Sequence, residues 1–509
     1  MTTNANTKTK KYSPRVQSCI LMSIAMSLHF GGYEFARSAA LALFTSSGGI
    51  TGFNHPSAYP LAIGCVTPTT LGLLYWYGTI LKKNGPRKAL QKTTSFVILV
   101  LFVGTTLIAG LSSLSLSSSG APVAAAAASC MTKAIVALLF VFQNSYAHLI
   151  YTQQWSFLGS VMTPTEGTKW FTYIAGLSSI VCTITASCVS SIATAGYGSS
   201  SGGGSGGLTV LIFLTCVTLT ASMICSDRAY QLSNEYGFDP SNEFQQKQKK
   251  KDDDDIGTTT KNESLLEKTK RMFQTSPILA RLFGEVITFQ ALSTVLNVCF
   301  VRQLKESIIV DGNRAAFTGK FYAGVNGSAC IMQFLVLPLL RKYMEPQWVY
   351  RFLPLLLMPL LSYSAFFVSS TTSGLWIAAI AFFVLKSADY SIRNIANEMV
   401  YQPLDFDARY LGKEVIGVFA NRFGKSGTSM ILTGLTSIFG FAVGSTRPLS
   451  QLAVGVGSVW SVCSIYLSKY VITNKQAEEQ VRQRSSNSSK ETDAVTAMAT
   501  NDDDRVKED

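Results

Sequence analysis

The stretch KQKKKDDDDIGTTTKNES, residues 247–264, divides the chain into two long apolar parts. Adjacent blocks of opposite charge cannot build a hydrophobic core, so this stretch is predicted to be a solvated linker. Its four consecutive aspartates lack the alternating pattern, the glycine and the final glutamate of an EF-hand calcium loop. We place the whole linker at residues 228–275, between six apolar segments and six more.

Twelve apolar segments are long enough to cross the hydrocarbon core of a bilayer, which takes about 20 residues. They lie at residues 17–45, 57–81, 94–114, 132–160, 170–194, 208–226, 276–300, 316–340, 350–369, 375–400, 412–441 and 448–471. Hydrophobic residues make up 47% of the 509 and charged residues only 14%, which is low in charge for a soluble protein. The sequence therefore predicts an all-α polytopic membrane protein with about 12 transmembrane helices in two six-helix bundles, a major-facilitator-like layout.

Lysine and arginine are concentrated in alternate loops, which predicts the orientation in the membrane. Basic residues precede the first segment, follow the second and the eighth, and populate the linker, whereas loops such as SSGGITGFNHP and GYGSSSGGGSGG carry no charged side chain. Both termini and the linker are therefore predicted to face the cytosol. One loop, 301–314, mixes both signs of charge and is predicted to be partly embedded in the membrane. The predicted parts are a cytosolic N-terminus 1–15, a bundle 16–227, the linker, a bundle 276–472 and a disordered cytosolic tail 473–509.

Several function classes are disfavoured by the composition. Orientation in the bilayer explains the net charge of +13, so no nucleic-acid partner is predicted. Ten cysteines without a C-x-x-C pair indicate neither a disulfide framework nor a metal site, and no cofactor is predicted. A membrane enzyme would need a nucleophile beside its base, which His29, His55 and His148, far apart in the chain, do not supply.

Ten ionisable residues fall inside the predicted spans, and they are the candidate functional residues. They are Glu34, Arg37, Arg281, Glu285, Lys320, Lys386, Asp389, Arg393, Arg422 and Lys425. A charge at the centre of a transmembrane helix costs roughly 2.5 to 3.5 kcal/mol, so these side chains are expected to face protein or water. Seven are basic and three acidic, which leaves +4 in the interior and suits a multiply charged anion.

Residues three, four or seven apart share one face of a helix, and the candidate residues follow that spacing. Lys386, Asp389 and Arg393 form one stripe with Asn397, and Arg422 and Lys425 form another with Ser429. Two interpretations remain open for the first stripe, a structural ion-pair network or ligand contact. Arg281, Glu285 and Lys320 lie near span ends, where reaching for the membrane interface competes with ligand contact. Arg422 and Lys425 have no acidic neighbour within a turn, which favours ligand contact.

The sequence ANRFGKSGTS, residues 420–429, contains Gly-Lys-Ser but does not fit a nucleotide-hydrolysing P-loop. That loop needs a glycine five places before the Gly-Lys pair, a position occupied here by Phe419. The flanks KEVIGVF and MILTGLTSIFGF are too apolar and too long for a soluble strand-to-helix turn. Lys425 is therefore predicted to serve something other than ATP hydrolysis.

Residues 386–429 resemble the ATP/ADP translocases, the nucleotide transporters of plastids, algae and obligate intracellular bacteria. The shared pattern is K-x-x-D-Y-S, then E-M-x-Y, P-L-D, G-K and R-x-G-K-S-G, with weaker similarity over most of residues 16–471. The resemblance implies transport of ATP against ADP, or of other nucleoside di- and triphosphates, by exchange without hydrolysis. It implies that Lys425 binds phosphate in the translocation cavity. The substrate-binding candidates are Lys425, Arg422, Arg37, Lys386, Arg393, Asp389, Gln143 and Asn297.

The chain departs from the family pattern at three positions. Ala40, Gln143 and Asn297 stand where typical exchangers carry a buried lysine and two buried glutamates. Lys425 is the fourth buried charge of the family pattern, and it alone is present in this chain. The departures leave open a changed nucleotide selectivity, proton-coupled or net uptake with phosphate or a proton as counter-ion, and a non-transporting membrane scaffold.

The resemblance also bears on location. Relatives in plastids and algae imply a plastid envelope or a surrounding endomembrane, with a bacterial inner membrane as the alternative. Residues 1–14 are polar and basic and show neither a cleavable signal nor a long transit peptide, which argues against an inner envelope.

Overall fold

The computed structural model describes residues 13–46, 51–117, 122–162, 164–195, 206–236, 265–336, 345–367, 371–401, 404, 415–440, 446–473, 476 and 479. Within these ranges the backbone is helical and contains no β-strand. The first helices are α1 (Pro14–Phe44), α2 (58–84), α3 (86–117), α4 (Pro122–Val161), α5 (Pro164–Ala195) and α6 (Gly206–Glu235). The remaining ones are α7 (Leu265–Thr275), α8 (Pro277–Ser307), α9 (Asp311–Ile331), α10 (Pro346–Phe366), α11 (371–401), α12 (416–439) and α13 (Arg447–Ser468).

The helix boundaries follow from proline and glycine. A proline occupies the first turn of α1, α4, α5, α8, α10 and α13, where its missing N–H has no intrahelical partner to lose. Gly85 separates α2 from α3, because it adopts φ 76°, which strains residues that carry a Cβ. Pro86 then begins α3.

Twelve of these helices, all except the short α7, correspond in order to the twelve predicted spans. Among the described residues, nine helices are long and apolar enough to cross a membrane by length and composition. The other three, α2, α9 and α12, pack on helices of the opposite half, α2 on α12 and α9 on α5 and α1. The prediction of an all-α membrane protein with about 12 spanning helices is confirmed.

The first six spans meet the last six along two seams. At one seam α2 packs on α12, and at the other α9 packs on α5 and α1. A close approach at the second seam depends on Gly319, because a Cβ there would lie 2.7 Å from the carbonyl oxygen of Ala186. Within each half, α1 packs on α6 and α8 packs on α13. The space between the two seams is where a substrate path is expected in this layout.

The loop predicted at 301–314 is mostly helix. Helix α8 continues to Ser307 and α9 begins at Asp311, so only 308–310 connect them. Its charges are paired: Arg302 Nε lies 2.9 Å from Glu306 Oε1, and Arg314 pairs with Asp311. The ammonium of Lys305 donates to the carbonyl oxygen of Phe53, at 2.7 Å. This pairing explains why mixed charges occur on the side of the membrane where other loops are uncharged.

The predicted linker is only partly within the described residues. Helix α6 extends into it as far as Glu235, and α7 occupies its last residues. In α7 Met272 is buried while Lys270 and Arg271 are exposed, so the helix is amphipathic. The stretch 237–264 and most of the tail lie outside the described residues, and the domain boundaries remain a prediction.

Candidate anion-binding cavity

The segment FGKSG, residues 423–427, is held between two helices. A Cβ on Gly424 would lie 3.0 Å from the carbonyl oxygen of Ile287, so glycine allows α12 to pack closely on α8. On the other side Ser426 Oγ donates to Thr67 Oγ1 of α2 at 2.6 Å. Thr67 Oγ1 in turn donates to the carbonyl oxygen of Arg422 at 3.1 Å. The backbone around Lys425 is thus fixed by contacts with both halves of the molecule.

The Gly-Lys-Ser sequence lies inside a continuous helix. A π-helical segment, Ile416–Phe423, runs directly into the α-helix Gly424–Phe439. A P-loop would instead wrap the phosphates with a loop between a strand and a helix, so the rejection of a P-loop is confirmed. A second π-helical segment, Asp389–Arg393, interrupts α11 at the other stripe of charges. Such π-turns occur frequently at functional sites.

Positive charges from three helices converge on Lys425. The ammonium group is half-buried and experiences the charges of Lys386 of α11, Arg422 of α12 and Arg37 of α1, with Asp389 as the acidic contributor. Among the described residues neither Lys425 nor Arg422 forms an ion pair. Like charges gathered in a poorly hydrated space repel one another, and an anion placed between them would relieve that repulsion.

Arg37 joins the two halves from the α1 side. Its guanidinium pairs with Glu34 one turn earlier, and Cζ lies 3.2 Å from the ring centroid of Tyr322 on α9. Glu34 Oε1 also accepts a hydrogen bond from Asn326 Nδ2 of α9, at 3.0 Å. Arg37 is therefore partly neutralised, and its contacts tie α1 to α9 beside the cavity.

The stripe on α11 divides into a buried and a half-buried part. Arg393 donates to both Glu285, at 2.8 Å, and Asp389, at 3.0 Å, and its Cζ lies 3.7 Å from the centroid of Phe289. Glu285 is fully buried and accepts a further hydrogen bond from the indole N–H of Trp460, at 3.0 Å. These contacts favour a structural ion-pair network for Arg393.

The carboxylate of Glu285 is therefore not at the membrane interface, and that alternative is wrong for this residue. Lys386 and Asp389 complete the stripe on the cavity side. Both are 15% exposed, and Lys386 Nζ lies 3.5 Å from Asp389 Oδ2.

The three positions that depart from the family pattern have different surroundings. Asn297 Nδ2 donates to the hydroxyl of Tyr59 at 2.9 Å and so links α8 to α2. Gln143 is buried, and neither atom of its amide has a hydrogen-bond partner among the described residues. Ala40 of α1 is buried in the hydrophobic core. An interhelical hydrogen bond, a buried amide and an apolar contact stand where charged side chains were expected.

Tyrosines around the cations were missed in the sequence analysis. The ring centroids of Tyr322 and Tyr33 lie 3.2 Å and 5.3 Å from Cζ of Arg37, and Tyr390 lies near the same guanidinium. Tyr33 also lies near Arg422. Tyrosine rings can stack on a planar base, and their hydroxyls can donate hydrogen bonds. A signal was present, since Tyr33 precedes Arg37 by four residues, one helical turn. The cavity thus combines cations with aromatic surfaces.

Two other candidates lie outside the cavity. Lys320 is exposed in an outer groove with Phe317 and Trp376. Arg281, near the first residue of α8, stacks on Tyr470. Neither is among the charges that act on Lys425. His148 is half-buried near Arg422, at the edge of the cavity.

Two helical halves with a site between them are the layout of the major-facilitator-like membrane proteins. The fold is similar to the crystal structure of a D-xylose-proton symporter, with a TM-score of 0.58 and 10% identity, over 89% of this chain and 98% of that one. The major-facilitator-like fold is therefore confirmed. Residues 96–471 match the family model of the TLC ATP/ADP transporters, and the chain belongs to that family.

Named relatives agree with this assignment. The chain is similar to ADP,ATP carrier protein 1 of Chlamydia trachomatis, at 29% identity over 225 residues, which is 40% of this chain and 42% of that protein. It is similar to chloroplastic ADP,ATP carrier protein 2 of Arabidopsis thaliana, at 32% identity over 111 residues, 22% of this chain and 18% of that protein. The matches thus span less than half the length of either relative. The predicted family is confirmed.

Proposed function

We propose that this protein carries nucleoside di- and triphosphates, such as ATP and ADP, across a membrane by exchange without hydrolysis. The observation that carries the proposal is the convergence of Lys386, Arg422 and Arg37 on Lys425, an excess of positive charge between the two halves. A triphosphate supplies several negative charges at one place, which matches this excess better than a neutral or singly charged solute. The names of the chlamydial and plastid relatives support the same substrate class.

Different residues of the cavity are assigned to different parts of the nucleotide. Lys425 and Arg422 have no acidic partner among the described residues, so they are assigned to the phosphates. Charge-assisted contacts with phosphate are the strongest hydrogen bonds available to them. Tyr33, near Arg422 and Arg37, and Tyr390, near Arg37 and Lys386, are assigned to the base. Arg37, paired with Glu34, and Arg393, in the buried network, are assigned to holding the cavity in shape, with Lys386 and Asp389 at its edge.

A second candidate function is net nucleotide uptake, driven by a proton or by phosphate. It is favoured by the neutral side chains at Ala40, Gln143 and Asn297, where the family pattern has charges. Relatives from a bacterium and from a chloroplast leave a plastid envelope, a surrounding endomembrane and a bacterial inner membrane as proposed locations.

Uptake of labelled ATP into proteoliposomes tests the proposal. Unlabelled nucleoside tri- and diphosphates are expected to compete strongly, with a steep loss for monophosphates and nucleosides. Vesicles preloaded with ADP should take up ATP faster than empty ones if the protein exchanges nucleotides. Equal rates would support net uptake instead, and equal competition by nucleosides or sugars would refute the phosphate assignment.

A further inference from the structure

A groove on the outer surface of the second half lies between α7, α8 and α13. It encloses about 410 Å³, and its lining includes Phe273, Pro277, Ala280, Arg281, Cys463 and Tyr466. The neighbouring surface of α13 is apolar and exposed, with Val459 at 56% and Val462 at 68% of their full accessibility. In a spanning helix such a surface faces the acyl chains of the bilayer.

Basic groups are held at one end of this groove. The guanidinium Cζ of Arg281 lies 3.5 Å from the ring centroid of Tyr470 and 5.5 Å from that of Tyr466. The two tyrosine hydroxyls are 3.2 Å apart. Arg281 forms no ion pair within the described part of the chain. Lys469 follows Tyr466 by three residues, directly after the last residue of α13, so a second cation lies near the same ring.

We place the groove at the level of the lipid headgroups. Arg281 is the fifth residue of α8, so it stands about 6 Å along the axis from the first residue of that helix. Helix α7, which ends two residues before α8 begins, is amphipathic, with exposed Lys270. Helices of this kind lie in the plane of the interface. A cation fixed by aromatic rings, above an apolar surface and beside an interfacial helix, matches the chemistry of a phospholipid.

We propose that this groove binds an anionic phospholipid from the leaflet on the α7 side, which the charge asymmetry predicts to be the cytosolic leaflet. Arg281 and Lys469 take the phosphate, and an acyl chain lies along Val462 and Val459. An arginine and a lysine beside an apolar surface favour a headgroup with net negative charge over a zwitterionic one, whose ammonium offsets the phosphate. The site is separate from the central cavity and does not depend on the transported substrate.

Thermal unfolding of the purified full chain in detergent tests the proposal. Phosphatidylglycerol is expected to raise Tm in a saturable way, and phosphatidylcholine to raise it much less. Arg281→Gln should require about tenfold more phosphatidylglycerol for the same rise, the loss expected from one charge-assisted contact. Arg228→Gln is the matched control, because Arg228 is an exposed cation near the C-terminal end of α6, a helix of the first half that packs on α1. This variant should respond like the wild type.

Lys469→Gln provides a second variant, since Lys469 is exposed and its loss should not affect folding. It is expected to lose part of the response to phosphatidylglycerol, and so tests the groove even if Arg281→Gln does not fold. Inorganic phosphate is added in a parallel series, and any stabilisation it gives should be the same in wild type, Arg281→Gln and Lys469→Gln, because it would come from the central cavity. Equal responses to the two lipids, unchanged lipid responses of both variants, or loss of the inorganic phosphate response in Arg281→Gln alone would overturn the proposal.

Discussion

Replacing Lys425 with alanine is expected to weaken nucleotide binding while leaving the fold intact. The lysine forms no ion pair among the described residues, so its removal leaves no buried carboxylate without a partner. It also removes a like charge from the neighbourhood of Lys386, Arg422 and Arg37. Lys425→Ala should therefore unfold at the wild-type temperature or slightly above it.

The expected loss of affinity follows from the contact that is removed. A hydrogen bond from an ammonium group to phosphate contributes roughly 1.5 to 3 kcal/mol. At 1.4 kcal/mol per factor of ten, the apparent affinity for ATP should fall about 10- to 150-fold. The loss should be smaller for a monophosphate than for a triphosphate. Lys425→Arg keeps the charge but replaces a compact ammonium with a wider planar group, so it should recover affinity only in part.

The assay is concentration-dependent uptake of labelled ATP into proteoliposomes containing equal amounts of each variant. Lys320→Ala is the matched control, because Lys320 is also a lysine inside a predicted span but is exposed in an outer groove. Its uptake should match the wild type. If Lys425→Ala folds and carries ATP with unchanged apparent affinity, the assignment of Lys425 to phosphate is wrong.

Three further results are expected. Arg393→Ala should destabilise the protein by about 3 to 5 kcal/mol in reversible unfolding, because it leaves the fully buried Glu285 without its cation; unchanged stability would contradict the ion-pair network. Gly424→Leu should lower stability and abolish uptake, since even a Cβ would lie 3.0 Å from a carbonyl oxygen of α8, and wild-type behaviour in both assays would contradict that packing. Accessibility tags in the N-terminus, the linker and the tail should report one side of the membrane, and a tag in the loop 199–207 the other; a shared side for the loop and linker tags would exclude the twelve-span topology.

The spans and the charge stripes could be predicted because both depend on local periodicity. A run of about 20 apolar residues has the length of one transmembrane helix. Residues three or four apart share a helix face whatever surrounds them. The grouping of Arg422 with Lys425, and of Lys386 with Asp389, was therefore available from spacing. The rejection of a P-loop rested on the position of one glycine, and the helical backbone around Gly424 agrees with it.

The partners across the helices could not be predicted, because they depend on distant parts of the chain. Glu285 lies 108 residues from Arg393, and Asn297 lies 238 residues from Tyr59. Arg281 and Glu285 are four residues apart on α8, yet the structure turns Glu285 inward and Arg281 outward. The π-helical segments also change which side chains share a face, and their positions were not evident in the sequence.

The contacts of Gly424 and Ser426 have a consequence for reading such sequences. In the Gly-Lys-Ser sequence, the glycine allows close packing on α8 and the serine donates a hydrogen bond to α2. Of the three residues, only the lysine carries a charge. A related chain that kept the outer two and lost the lysine would retain the helix contacts and still score well in a pattern search. Similarity across this segment therefore carries information mainly about architecture, and under the proposed function only the lysine carries information about the substrate.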